Sequence, residues 1–234
     1  MSPAFIMTRR WVQLMVGLFL YGFSMAMMIR GAVGVSPWDV LSQGISLRTG
    51  IEFGYVTIIV SGFVLLLWIP IRQRLGIGTV LNAIFVGLFA NVGLFLIPEL
   101  TELWIRIPLF TGGLILVAVA TGLYIGARFG PGPRDGLMTG IHHRFGVRIW
   151  IVRTSLEVIV LIIGWLLGGN VGVGTLAFAL LIGPMVHKTM PFFLVPAALS
   201  ETAIAKAEEA EAASTELPER PEPTASTGEL STDQ

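Results

Sequence analysis

The chain has 234 residues, with 15 Lys or Arg against 15 Asp or Glu, and it is 54% hydrophobic and only 13% charged. With a mean hydropathy of +0.79 it lies far outside the range of a soluble domain, and the absence of Cys excludes disulfides, thiolate chemistry and Cys-ligated metals. The neutral balance conceals an asymmetry: residues 200–234 hold nine of the acids and only Lys206 and Arg220, so the rest of the chain carries 13 basic residues against six acids.

Residues 1–10 form a short N-terminal segment that ends in Arg9-Arg10, followed by an apolar run from Trp11 to Ile29. That run is longer than the apolar part of a signal peptide and no small-x-small cleavage site follows, so it reads as a retained helix. Next, Ser36-Pro37-Trp38-Asp39 is a helix start. Ser is suited to the cap, Pro to the first helical position with its fixed φ, and an acid to the third. The segment it opens ends at Gly50, a natural left-handed C-terminal position. At about 12 residues and about 18 Å it is too short to span a bilayer. It is either an interfacial elbow or a re-entrant half-helix whose N-terminal N–H groups face a cavity.

A second span runs from Phe53 to Ile71 and a third from Val80 to Ile97, entered through Gly76-Ile-Gly78-Thr79. Thr79 suits an N-cap and the glycines allow close backbone approach; no Lys follows to make a phosphate loop. Asn82 and Asn91, inside the third span, are suited to bond across helices or to touch a substrate. A fourth span runs from Pro108 to Ile125, and Gly132-Pro133-Arg134-Asp135 then opens a second short helix that ends at Gly146. His142, His143 and Arg144 close that helix. Adjacent histidines point about 100° apart and cannot chelate one metal together, so the cluster, with Arg128 and Arg134, reads as basic residues facing anionic lipid headgroups.

The fifth span, Ile149 to Leu167, carries Arg153 and Glu157 one turn apart, placed to pair at i, i+4. An acid at that depth is costly unless paired or hydrated, which makes it either a functional group or a structural pair that fixes packing. Gly172-Val-Gly174-Thr175 then leads into a sixth span ending near Val195, with Thr175 again suited to cap. From about residue 200 the Ala-, Glu-, Pro-, Ser- and Thr-rich tail has too little apolar surface to fold, and a disordered acidic cytoplasmic tail is expected.

These elements repeat at an offset of 96 residues without a gap. Gly34, Pro37 and Asp39 meet Gly130, Pro133 and Asp135; Gly50 meets Gly146; Gly76, Gly78 and Thr79 meet Gly172, Gly174 and Thr175. The repeat halves are residues 11–97 and 108–195. With the N-terminus inside, nine basic residues (Arg9, Arg10, Arg72, Arg74, Arg128, Arg134, Arg144, Arg148, Lys188) face the cytoplasm and three (Arg30, Arg48, Arg106) face out, as the positive-inside rule requires. Letting both short helices cross as well would put Arg72, Arg74, Arg128 and Arg134 outside. Three spans per half is an odd number, so the expected architecture is an all-α polytopic bundle of six transmembrane helices in two inverted three-helix repeats, with both termini cytoplasmic. The pair Arg153 and Glu157 breaks the symmetry, standing where the first half has Thr57 and Ser61.

Gly34-x-Ser36-Pro37-Trp38-Asp39-x-Leu41-x-x-Gly44, Gly76-Ile-Gly78-Thr79, Gly132-Pro-Arg-Asp-Gly136 and Val152-Arg-Thr-Ser-Leu-Glu157 resemble the YczE/YitT-like family of bacterial integral membrane proteins over residues 10–190. The resemblance implies a polytopic protein of the bacterial inner membrane and supplies no catalytic or ligand residues. Two functions stay open. One is a small-solute or ion transporter with Asp39, Asp135, Arg153, Glu157 and Asn82 nearest its path. The other is a scaffold or regulator acting through the basic face or the acidic tail. An enzyme is not expected, for want of His-Glu-x-x-His, Gly-x-Ser-x-Gly or Cys. Lipid is the expected partner, with no nucleic acid, cofactor or metal.

Overall fold

The computed structural model describes residues 3–195; the expected acidic tail lies outside the described residues. Among them the chain forms helices α1 (Pro3–Gly31), α2 (Pro37–Thr49), α3 (Phe53–Leu66), α4 (Trp68–Ile71), α5 (Ile77–Leu96), α6 (Leu103–Gly126), α7 (Pro133–Phe145), α8 (Ile149–Leu166) and α9 (Val173–Phe193). Six stretches are long and apolar enough to cross a bilayer: α1, α3 with α4, α5, α6, α8 and α9. Their outward faces carry bare Phe95, Phe192, Val173 and Trp104, each more than 70% exposed. Water would not tolerate apolar surface on that scale; lipid does.

The 96-residue repeat is written into the backbone. Eight described residues have positive φ, and all eight fall into pairs 96 apart: Ala32 and Arg128, Gly34 and Gly130, Gly50 and Gly146, Arg72 and Gly168. Gly50 (φ 72°) and Gly146 (φ 69°) end the two short helices in the left-handed region, where glycine carries no Cβ penalty.

The helices dock reciprocally across the repeat. Arg10 donates from Nε to the Ala127 carbonyl (2.9 Å) and from a terminal nitrogen to that of Arg128 (3.0 Å). Its counterpart Arg106 donates to Gly31 (2.9 Å) and Ala32 (2.7 Å). Each arginine near the start of one helix therefore caps the last carbonyls of the other, and α1 and α6 lie antiparallel at the centre of the bundle. The same reciprocity joins the loops: Gly78 N–H donates to the Phe129 carbonyl (2.9 Å) and Gly174 N–H to that of Val33 (3.0 Å). The exchange runs from each residue to the counterpart of its partner, in both directions.

Several local expectations need correcting. Thr79 and Thr175 are not N-caps. The helices begin one turn earlier, with Gly76 and Gly172 at the cap positions. Thr175 still serves the cap from the third helical position, accepting the Gly172 N–H at 3.4 Å, and both threonines reach across the repeat. Thr79 Oγ1 donates to the Pro131 carbonyl (2.7 Å), and Thr175 Oγ1 accepts from the Val35 N–H (3.2 Å). Pro108 does not start its span but lies inside α6 as its sixth residue, where the ring removes one i→i−4 hydrogen bond. Residues 3–10 are not a separate segment but the first turns of α1, and Arg10 is 1% exposed.

Candidate functional site

The two short helices begin differently and end in the same place. Ser36 caps α2 by accepting the Asp39 N–H at 3.3 Å, and Pro37 opens the helix. In α7 the cap is Gly132, with no side chain to offer, and Pro133 follows. Both first turns line one cavity of about 290 Å³, which also receives Tyr21, Asn82, Tyr124, Arg153, Glu157 and Phe178. The short helices are therefore cavity-lining half-helices with buried N-terminal turns: Asp39 is 2% exposed and Trp38 7%. Irregular backbone at membrane depth is stable where it lines such a cavity.

Three polar contacts shape the walls. Asp39 accepts from the Arg134 guanidinium at 3.2 Å, with side chains only 3% and 17% exposed, so the first residues of α2 and α7 are ion-paired across the repeat. The same guanidinium lies 5.4 Å from the Trp38 ring, within cation–π range. Asp135 accepts a short hydrogen bond of 2.5 Å from the Tyr124 hydroxyl, and the Tyr124 ring meets Tyr21 edge-on at 5.9 Å. On α8, Arg153 Nε donates to Glu157 at 3.0 Å, the i, i+4 pair read from spacing.

Four of the expected pathway residues, Asn82, Asp135, Arg153 and Glu157, share the cavity wall; Asp39 sits behind it and reaches it through Arg134. Of the two asparagines expected to bond across helices, only Asn91 does so. It accepts from the Gly54 N–H (2.7 Å) and donates to Glu52 (2.8 Å). Asn82 makes no hydrogen bond among the described residues and faces the cavity. Arg134, grouped in the sequence with headgroup-facing residues, is engaged inside the protein; Arg128, of the same group, is exposed and donates to the Val195 carbonyl at 2.6 Å. Sequence reading passed over Tyr21, Tyr124 and Trp38. The available signal was that all three tyrosines fall inside apolar runs, where a hydroxyl needs a partner.

What the arrangement offers is a water-sized to small-solute chamber with two carboxylates, Asp135 and Glu157, and two guanidiniums, Arg134 and Arg153, at its walls. Two helix N-termini, each equivalent to roughly half a positive charge, enter it from the two halves of the chain. Charged groups buried together are expensive unless they are paired or hydrogen-bonded.

The signature of a family of unknown function, DUF6198, matches residues 8–191. An uncharacterized protein of Haemophilus influenzae is 40% identical over 181 residues, covering 77% of this chain and 81% of that one. The uncharacterized membrane protein YczE of Bacillus subtilis is 31% identical over 184 residues, 78% of this chain and 86% of that one. A second Bacillus subtilis protein, YyaS, also uncharacterized, is 26% identical over 180 residues, 75% and 90% of the two chains. No solved structure matches.

Proposed function

The chain belongs to DUF6198 and is a multi-pass membrane protein, and we propose that it is a small-solute or ion transporter with its site between two inverted repeats. The observation that carries this reading is the convergence of the α2 and α7 N-terminal turns on one polar cavity. Half-helices from two related halves, meeting at a buried site, are the usual construction of alternating-access carriers. The antiparallel α1–α6 pair and the reciprocal loop bonds support the inversion. The charge asymmetry supports cytoplasmic termini and the inner membrane of a bacterium as the location.

Glu157 is the residue on which transport depends in this reading. It stands in the cavity with one partner, Arg153, whose side chain is 43% exposed against 20% for the acid, so it can exchange partners without leaving the site. The test is flux in proteoliposomes under imposed solute and ion gradients, with the full-length protein and Glu157→Gln. Gradient-driven flux that the substitution abolishes, at normal insertion, is expected. No flux with any solute of this size, or full flux in Glu157→Gln, would remove the proposal and favour a scaffold acting through the cytoplasmic face.

A further inference from the structure

Resting on that transport reading, we propose that one corner of the cavity binds a singly charged cation, held by the side-chain oxygens of Asn82, Tyr124 and Asp135. The corner exists because residue 132 is glycine. A Cβ built there would lie 3.1 Å from the Tyr124 hydroxyl oxygen, 3.3 Å from Asp135 Oδ2 and 3.4 Å from Asn82 Oδ1. Three oxygens from three helices (α5, α6 and α7) thus gather beside the bare Cα of Gly132, where a side chain would crowd all three. All three residues line the cavity, as does Gly132 itself.

The charges decide the sign of the ligand. Asp39 is neutralised by Arg134 and Glu157 by Arg153. Asp135 has no cationic partner among the described residues and accepts only the Tyr124 proton. The positive end of α7 offsets about half of its charge, which leaves the corner negative by less than one unit. An anion is repelled there. A divalent ion is ordinarily held by more than one carboxylate, whereas this corner has one. A monovalent cation, an alkali ion or a protonated amine, fits both the charge and the donors. Tyr124 spends its proton on Asp135 and Asn82 spends nothing, so acceptor capacity on both is free.

The cage is a property of one half only. The counterparts of Asn82 and Tyr124, 96 residues away, are Phe178 and Met28, and the counterpart of Gly132 is the capping Ser36. Packing symmetry therefore does not account for these oxygens being placed together.

The test uses the purified full-length protein in nanodiscs. Thermal unfolding and calorimetry are followed against Na⁺, K⁺ or methylammonium, with N-methylglucamine chloride keeping ionic strength constant. A saturable response to at least one of the three is expected, and which one responds separates an alkali ion from an amine. The apparent affinity should fall about tenfold or more in Asp135→Asn and in Asn82→Leu, since each loses a contact to a charged ligand. It should be unchanged in Glu99→Gln, at the distant Arg30 pair. If Asp135→Asn fails to fold, Asn82→Leu carries the test. A response shared equally by N-methylglucamine, a response to pH alone, or wild-type affinity in the cage variants that fold overturns the proposal. Cation binding without flux would leave the cage and remove the transport reading; cation-independent flux would do the reverse.

Discussion

In the first half of the chain α3 lies along α5, with Gly54 and Gly87 so close that a Cβ on either would strike the other's carbonyl oxygen, and with Asn91 holding the Gly54 N–H. The counterparts in the second half are Trp150 and Gly183. Trp150 is 63% exposed, and no atom lies within 4 Å of where a Gly183 Cβ would be. Here α8 stands away from α9, and the cavity opens between Glu157 on one side and Phe178, Ile182 and Gly183 on the other. At the short helices the order reverses. Helix α2 is seated on α8 backbone to backbone, at Gly44 and Gly164, while α7 meets the indole of Trp68 at Gly136. Trp68 and Gly164 are counterparts, as are Val40 and Gly136, so bulk has crossed the interface between one half and the other. One backbone plan, given different side-chain volumes at matched positions, yields a sealed seam and an open one.

The largest expected effect tests the seated seam against its counterpart. A Cβ on Gly44 would meet the Gly164 carbonyl oxygen and the Leu167 Cβ, whereas on Gly140 it would meet the movable ends of Ile71 and Gln73. Gly44→Ala should cost about 1–3 kcal/mol in micelle unfolding, since backbone cannot give way as a rotamer does. Gly140→Ala should cost less than about 1 kcal/mol. Equal losses would mean that the two seams are packed alike. The arginine caps come next. Arg10→Ala leaves the carbonyls of Ala127 and Arg128, just past the end of α6, without their donor and should cost about 2 kcal/mol; Arg106→Ala, half-exposed, should cost about 1 kcal/mol.

Much of this was legible in the sequence, and the parts that were not share a physical reason. The six spans, the two short helices and the Arg153–Glu157 pair rest on local patterns: apolar run length, Ser-Pro and Gly signals, and i, i+4 spacing. The Asp39–Arg134 pair joins residues 95 apart; no local pattern encodes it, because it exists only once the halves dock. Thr79 and Thr175 were misplaced for the same reason. Threonine at a helix start has two uses, and the partner that decides between them, Pro131 or Val35, comes from the other half. Arg10 and Arg134 looked like cytoplasmic charges because counting sees a sign and not a partner.

Accessibility gives a smaller but sharper reading of the open seam. The chain has no cysteine, so single substitutions can be labelled without background. Gly183→Cys should react with a hydrophilic thiol reagent while changing stability by less than about 0.5 kcal/mol, since nothing surrounds it. Gly87→Cys should be less stable and unreactive in the folded protein. Reaction at both sites, or at neither, would remove the difference between the seams.

The smallest effect concerns the two caps. Ser36→Ala removes a long hydrogen bond to the Asp39 N–H, 3.3 Å, and should cost about 0.5–1 kcal/mol, the low end for a cap. If the halves were equivalent, Gly132→Ser would stabilise α7 by a similar amount. It should not, because the added Cβ would sit 3.1 Å from the Tyr124 oxygen and 3.3 Å from Asp135 Oδ2, tighter than ordinary van der Waals contact, and would offset any gain from capping. Unfolding of both variants, measured with and without the responsive cation, separates the terms. Ser36→Ala should keep its cation-dependent increment and Gly132→Ser should lose it. A stabilised Gly132→Ser that still responds to cation would mean that the space left by glycine is spare room rather than a site. The first half uses its side chain at this position to hold a helix, and the second has none there to crowd the three oxygens beside it.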